Sequence, residues 1–257
     1  MNRIITTLFG LLLIQLLVVN KTYSSEGDVK DCFEKLNRVT FAFNMGLDKV
    51  IFKPISKGYR KLPSPVRTGT DNALNNLSNL ITIPNNILQG DFVSAANNSA
   101  RLLINTTLGI AGIFDPANSF GFKKREKEDF GQSLGVMGIG EGCYLVLPVL
   151  GPSTIRDTVG SLIAINGGDM WHNITVRDDE EYVKEFKESD YWVSRVTSGV
   201  DFRAKNLEAF DAIEKNSVDL YATVRSLYLQ DRKKKINNSS EKTEAMEDGD
   251  WDTLENQ

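Results

Sequence analysis

The sequence predicts an all-α fold: a single compact helical domain, shaped as a ring or platform, with an apolar glycine-rich loop and a disordered C-terminal tail. Three observations predict it. Apolar residues recur at helical spacing, as at Ile155, Val159, Leu162 and Ile163, the stripe one helix face needs. Start and stop residues punctuate the chain, among them Ser64-Pro65, Asp91 and Asp115-Pro116, which fit helix caps and first turns. No stretch sustains the apolar–polar alternation of a strand.

Residues 1–25 read as a signal peptide. Arg3 supplies the positive start, the stretch from Ile4 to Val19 is mostly apolar, and Ser24-Ser25 are small residues suited to cleavage before Glu26. A spanning helix needs about 20 apolar residues, so this segment is short for an anchor. The mature domain is expected over residues 26–232. Asp31 to Val50 reads as a helix followed by an aromatic-rich turn. Ser64 is the expected cap of a helix that runs to about Ile81 and ends at Pro84. Its one side carries Gly69, Ala73, Leu74, Leu77 and Ile81. The other carries Asp71, Asn72, Asn75, Asn76 and Asn79, an almost uncharged polar face that suits either solvent or a passage for amphipathic molecules. Gly90 and Asp91 separate it from the next helix, whose Ala95-Ala96-Asn97-Asn98-Ser99-Ala100 allows close approach of neighbours. The chain is then almost continuously apolar from Leu102 to Phe114.

Lys123 to Asp129 is a charge run, suited to solvent or to a phosphate headgroup layer. Ser153 is the expected cap of the helix bearing Ile155 and Val159, and Asn166-Gly167-Gly168 its end. Residues 171–200 read as less regular helix with Trp171, Tyr182, Phe186, Tyr191 and Trp192. One helix follows around Leu207 and Phe210, and another, capped by Ser217, bears Leu220, Val224, Leu227 and Tyr228. From Lys233 to Gln257 low hydrophobicity and separated charge blocks predict disorder.

Composition narrows the chemistry. The net charge is −4, so no basic field favours nucleic acid. One histidine and two cysteines do not make a zinc site, and no phosphate-binding loop is present; no cofactor is expected. Cys32 and Cys143 are left either as one disulfide in an oxidising compartment or as two buried thiols. The run Gly131-Gln132-Ser133-Leu134-Gly135 matches the GxSxG pattern of hydrolases, with Asp157 or Asp169 and then His172 in hydrolase order. Charged Lys127-Glu128-Asp129 precedes it where the hydrolase elbow needs an apolar strand. The reading is therefore not an enzyme, with a lipase or esterase using Ser133 as the alternative and a membrane scaffold as a third reading.

Phe130 to Asp157, FGQSLGVMGIGEGCYLVLPVLGPSTIRD, combines six glycines with apolar residues and one early charge, Glu141. This stretch, Asn37-Arg38-x-x-Phe41-x-Phe43-Asn44, Pro84-Asn85-x-x-Leu88-Gln89-Gly90, Arg101-x-x-x-Asn105-Thr106-x-x-Gly109 and Tyr221-x-x-Val224-Arg225-x-x-Tyr228 resemble, in order, the MlaA (VacJ) family. The resemblance covers roughly residues 31–232. It implies an outer-membrane protein at the periplasmic face that keeps lipid asymmetry, removing mislocalised phospholipid from the outer leaflet and passing it on. The implied partners are phospholipid, a trimeric porin and a periplasmic lipid carrier. The lipid passage or gate is expected at Phe43, Asn44, Gly138, Gly140, Gly142, Tyr144 and Leu147, with the three glycines supplying backbone freedom. Family members are commonly acylated on a cysteine directly after the signal peptide. Here the first cysteine, Cys32, follows Asp28-Val29-Lys30-Asp31, so attachment is expected to rest on the protein's own apolar surface.

Overall fold

The computed structural model describes residues 30–177 and 186–248. The expected signal peptide, Tyr182 and the last nine residues of the expected tail lie outside them. The described chain is helical apart from one small hairpin. Helix α1, Glu34–Leu47, passes through a π-turn into α2, Lys53–Tyr59. Then come α3, Ser64–Leu88, α4, Phe92–Thr107, and the single turn α5, Pro116–Ser119. The short α6, Phe130–Val136, leads into strands β1, Tyr144–Leu147, and β2, Gly151–Thr154. Helices α7, Ile155–Ile163, α8, Met170–His172, α9, Glu188–Lys205, α10, Leu207–Asn216, and α11, Leu220–Asp248, complete the fold.

Several helix ends differ from the sequence reading, each for a local reason. Pro63 stands at the cap of α3, and Ser64 is already its first residue. Pro84 does not stop α3, which continues to Leu88. The buried Asn85 amide donates to the Ile81 carbonyl at 2.7 Å, beside the turn where proline leaves no N–H. Thr154 rather than Ser153 caps α7, accepting from Asp157 N at 3.1 Å. Asp219 rather than Ser217 stands before α11, accepting from Ala222 N at 3.2 Å. That helix continues through Lys233 to Asp248, where a disordered tail was expected. FGQSLG belongs to helix α6 and not to the flexible loop. Asp91 caps α4 as expected, accepting from Ser94 N at 2.9 Å.

The hairpin is the element the sequence did not announce. β1 and β2 pair antiparallel, Tyr144 opposite Thr154 and Leu147 opposite Gly151. The free edge of β1 is closed by side chains. The Asn37 amide donates to Tyr144 O at 2.9 Å and accepts from Val146 N at 2.9 Å. Two turns along the same helix, Asn44 donates to Leu147 O at 2.9 Å and accepts from Val149 N at 2.8 Å. Two asparagines on one face of α1 thus replace a third strand, satisfying backbone groups that would otherwise be unpaired. Tyr144 and Val146 pack with Tyr221, Leu229, Phe41 and Tyr228 in the apolar cluster beneath. Cys32 and Cys143 form a disulfide beside this clamp.

Helices α6 and α7 cross where neither has a side chain. A Cβ on Gly160 would lie 2.3 Å from Gly131 N, so only glycine permits this approach. Beside the crossing, Arg232 of α11 donates to Asp129 at 2.6 Å and to Asp157 at 2.8 Å, and Tyr228 Oη donates to Asp157 at 2.6 Å. One ion cluster therefore joins α6, α7 and α11.

The fold is turned inside out relative to a protein packed for water. Among the described residues, buried polar and charged side chains outnumber buried apolar ones, with Asn37, Asn85, Asn86, Ser94, Asn98, Arg101, Asp157 and Arg203 all inside. Large apolar side chains cover the outside instead, including Val39, Phe43, Val50, Leu103, Leu108, Ile110, Phe114 and Leu150. An apolar surface this extensive marks an interaction with lipid or with a partner. No described helix is long and apolar enough to cross a membrane.

Candidate functional site

The buried polar residues are not scattered. Helices α3 and α4 pack as an antiparallel pair whose seam is amide and hydroxyl: Asn98 donates to Asn86 at 2.9 Å, and Asn76 donates to Thr106 Oγ1 at 2.8 Å. After Thr107 the chain reverses through Ile110, Ala111 and Gly112, all with positive φ. A Cβ on Gly112 would lie 2.5 Å from Asn76 Cβ, so the reversal sits directly on the asparagine row. The turn brings Asp115 back against α4. Arg101 donates to both its carboxylate oxygens at 2.9 Å, and Asn105 donates to it at 2.9 Å. Burial pushes the Asp115 carboxyl up, but these donors outweigh it and hold it below the ordinary carboxylate range.

Above this floor lies a narrow cleft of about 40 Å³, open toward solvent. Asn72, Asn75, Asn76, Asn79 and Thr82 of α3 form one wall; Asn98, Arg101 and Asn105 of α4, with Asp115, form the base. The charge run crosses it as an extended strap, Lys124 to Lys127. Its backbone is pinned from below. Arg101 donates to Phe122 O, Asn97 to Lys123 O at 2.9 Å, and Gln132 to Lys127 O at 3.1 Å. At the mouth, Asp71 accepts from Lys205 of α9 at 2.5 Å and faces Lys124 at 3.6 Å. Burial opposes ionisation of Asp71, but the two ammonium groups keep it below its usual range. The cleft thus offers neutral donors and acceptors on one side and cations on the other, beneath an apolar exterior. Its polar lining is chemically suited to a charged, hydrogen-bonding group at the mouth, while apolar surface stays outside.

The asparagine face expected on α3 is this wall. The seven residues expected at a gate lie elsewhere, and none lines the cleft. Phe43 is 55% exposed on the outer face of α1, while Asn44 holds the hairpin. Leu147 is half-buried in β1. Tyr144 is fully buried, its ring set edge-on to Tyr221 and Tyr228, and is a core residue. Gly138, Gly140 and Gly142 lie in the link from α6 to β1, with positive φ at Gly138 and Gly142. Arg101, Asn105 and Asp115 were missed as site residues. Arg101 and Asn105, four apart on α4, carried the available signal, but their partner is set by the turn after it.

The hydrolase constellation is not assembled. Ser133 Oγ, in α6, donates to Asn85 at 2.6 Å and accepts from Gln89 at 3.0 Å. Asp157 is bound to Arg232 and Tyr228, and His172 packs edge-on against Tyr191. Ser133 therefore ties α6 to α3, which explains the Pro84-Asn85-x-x-Leu88-Gln89 motif.

A helical body with an apolar exterior, short helices and a small polar cleft within defines a class of protein that meets a membrane or a partner through its own surface. Within that class this chain belongs to the MlaA lipoprotein family, whose model matches residues 29–235. It is 33% identical over 205 residues to the intermembrane phospholipid transport system lipoprotein MlaA of Escherichia coli K12, covering 78% of this chain and 76% of that one. It is 27% identical over 256 residues to the protein of the same name from Haemophilus influenzae, covering 96% of each. Similarity of 34% over 200 residues extends to an uncharacterised protein, RP093, of Rickettsia prowazekii, covering 77% of this chain and 75% of that one. A solved structure described as "Structural basis for maintenance of bacterial outer membrane lipid asymmetry" superimposes with a TM-score of 0.65 at 29% identity, covering 79% of this chain and 97% of that chain.

Proposed function

We propose that this chain moves phospholipid between membranes and so maintains lipid asymmetry in the outer membrane. The observation that carries the reading is the polar cleft between α3, α4 and the strap inside an apolar exterior. Moving a phosphate headgroup through hydrocarbon costs at least several kcal/mol because its charge leaves water. Amides, Arg101 and the strap cations replace that water, while the acyl chains stay against apolar surface. No bond is made or broken in this process, so no nucleophile is required, and Ser133 is already engaged. The chain is seated at the periplasmic face by its apolar exterior, and the partners implied by the family resemblance are a trimeric porin and a periplasmic lipid carrier.

The test is blockage of the cleft. Cells lacking the protein should expose phospholipid at their surface, and the wild-type chain should restore the barrier. Asn79→Trp, which places an indole at the half-buried wall, should fold and reach the membrane but fail to restore it. Ser133→Ala should restore it fully, with a stability loss of about 1 kcal/mol from the lost hydrogen bonds. Full function in Asn79→Trp sinks the cleft reading. Loss of function in folded Ser133→Ala, with loss of fatty-acid release, restores the hydrolase reading.

A further inference from the structure

The strap has two faces. On one side Lys124 to Lys127 close the asparagine-lined cleft; on the other the same residues, with Lys235 of α11, line an open basin. Glu126 is the sole carboxylate among the basin residues. The cations differ in how they are engaged. Lys235 pairs with Asp231 at 2.8 Å, and Lys124 faces Asp71 at 3.6 Å. Among the described residues, neither Arg125 nor Lys127 forms an ion pair. The strap's backbone is fixed by Arg101, Asn97 and Gln132, so both side chains are presented from a rigid support. Lys127 reaches water yet is ringed by protein. That desolvation pushes its ammonium below the ordinary lysine value, against the pull of Asp71. An unpaired cation in such a place gains most from an incoming anion.

The opposite wall is neutral. Asparagine amides offer donors and acceptors alike and do not distinguish a headgroup by net charge. Arg101 at the base is neutralised by Asp115 at 2.9 Å, so the strap presents the unpaired cations. A zwitterionic headgroup carries its own ammonium or trimethylammonium, which these cations repel. An anionic headgroup of the phosphatidylglycerol or cardiolipin class brings phosphate without that cation. We infer that Arg125 and Lys127 read headgroup charge, so that the passage favours phospholipids of net negative charge over zwitterionic ones. This inference rests on the phospholipid-transport reading and names its substrate class.

The experiment uses the purified full chain in detergent with donor vesicles of phosphatidylcholine carrying equal fractions of labelled phosphatidylglycerol or labelled phosphatidylethanolamine, and measures transfer of each. Labelled phosphatidylcholine serves as the second zwitterion. The wild type should move phosphatidylglycerol roughly tenfold faster than either zwitterion, the scale of one charge-assisted hydrogen bond, and the ratio should fall with salt. The double variant Arg125→Gln, Lys127→Gln should bring the ratio near one by slowing phosphatidylglycerol more than either zwitterion, and Lys127→Arg should keep it. Both changed side chains are exposed, so folding is preserved, and the thermal midpoint checks that. A wild-type ratio near one, an unchanged ratio in the double variant, or discrimination between the two zwitterions by size overturns the inference while leaving transport standing. Transfer of none of the three lipids by the wild type overturns the transport reading, and this inference with it.

Discussion

Arg232→Met should destabilise the protein by about 2–3 kcal/mol, below the full cost of breaking a buried pair, because Asp157 keeps Arg156 at 3.2 Å and the Asp129 side chain is 43% exposed. Among the described residues Arg232 is the one cation that touches both Asp129 and Asp157, at 2.6 and 2.8 Å. Its side chain is 10% exposed and that of Asp157 is 8%. Burial alone would raise both carboxyls. Hydrogen bonds and charge from Arg232 instead hold Asp129 at about 2, and the charge of Arg232 and the Tyr228 hydroxyl hold Asp157 below its usual range. The sign of the pH dependence follows. Folded values below the unfolded value of about 3.9 mean that the stabilisation is present above pH 4 and is lost as pH falls toward 2. The wild type in detergent should therefore lose thermal stability between pH 4 and 2. Arg232→Met should begin lower and lose less over the same interval. Calorimetry at pH 7, 4 and 2.5 checks it; an identical acid slope in both proteins shows that the pair does not carry this dependence.

The same residues show how far the sequence could be read. The 3.6-residue period located the helices and the asparagine face of α3, because both depend on local spacing. It could not say which face points inward. In a water-soluble helix the apolar stripe is buried, whereas here Leu103, Leu108 and Ile110 stay outside and Asn98 and Asn105 go in. The hairpin escaped because each strand has only four residues and its edge partners, Asn37 and Asn44, lie more than 100 positions away. The Asn37-to-Asn44 motif was visible, but its purpose was not. Arg101 and Asp115 meet only because three consecutive positive-φ residues reverse the chain, a conformation that Ile110 and Ala111 do not announce. The residues expected at the gate include Tyr144, which the structure buries completely, because burial of one aromatic among several is set by the tertiary packing and not by local spacing.

Removing the Cys32–Cys143 bond should be the other large loss. The bridge closes 111 residues with a Cα–Cα distance of 5.6 Å. In the chain-entropy model, opening a loop of that length costs about 4–5 kcal/mol, which for a chain of this size lowers the melting temperature by roughly 10 °C. The bond also lies beside the Asn37 clamp, where Tyr144 N donates to Lys30 O at 2.9 Å, so its loss should loosen the hairpin edge first. Cys32→Ser, Cys143→Ser and the double variant should therefore melt alike, because each removes the same single bond. Reducing agent should lower the wild type to the same point and leave the variants unchanged. Attachment is a separate quantity. A cysteine whose sulfur is bonded to Cys143 is not available for acylation, so Cys32 is not an acyl anchor while the bond stands. All three variants should then remain in the outer-membrane fraction and need detergent for release. Two free thiols in the denatured, unreduced protein would refute the bond. Release of Cys32→Ser alone into the soluble periplasm, with Cys143→Ser retained, would instead make Cys32 an acyl anchor and overturn both halves of the expectation.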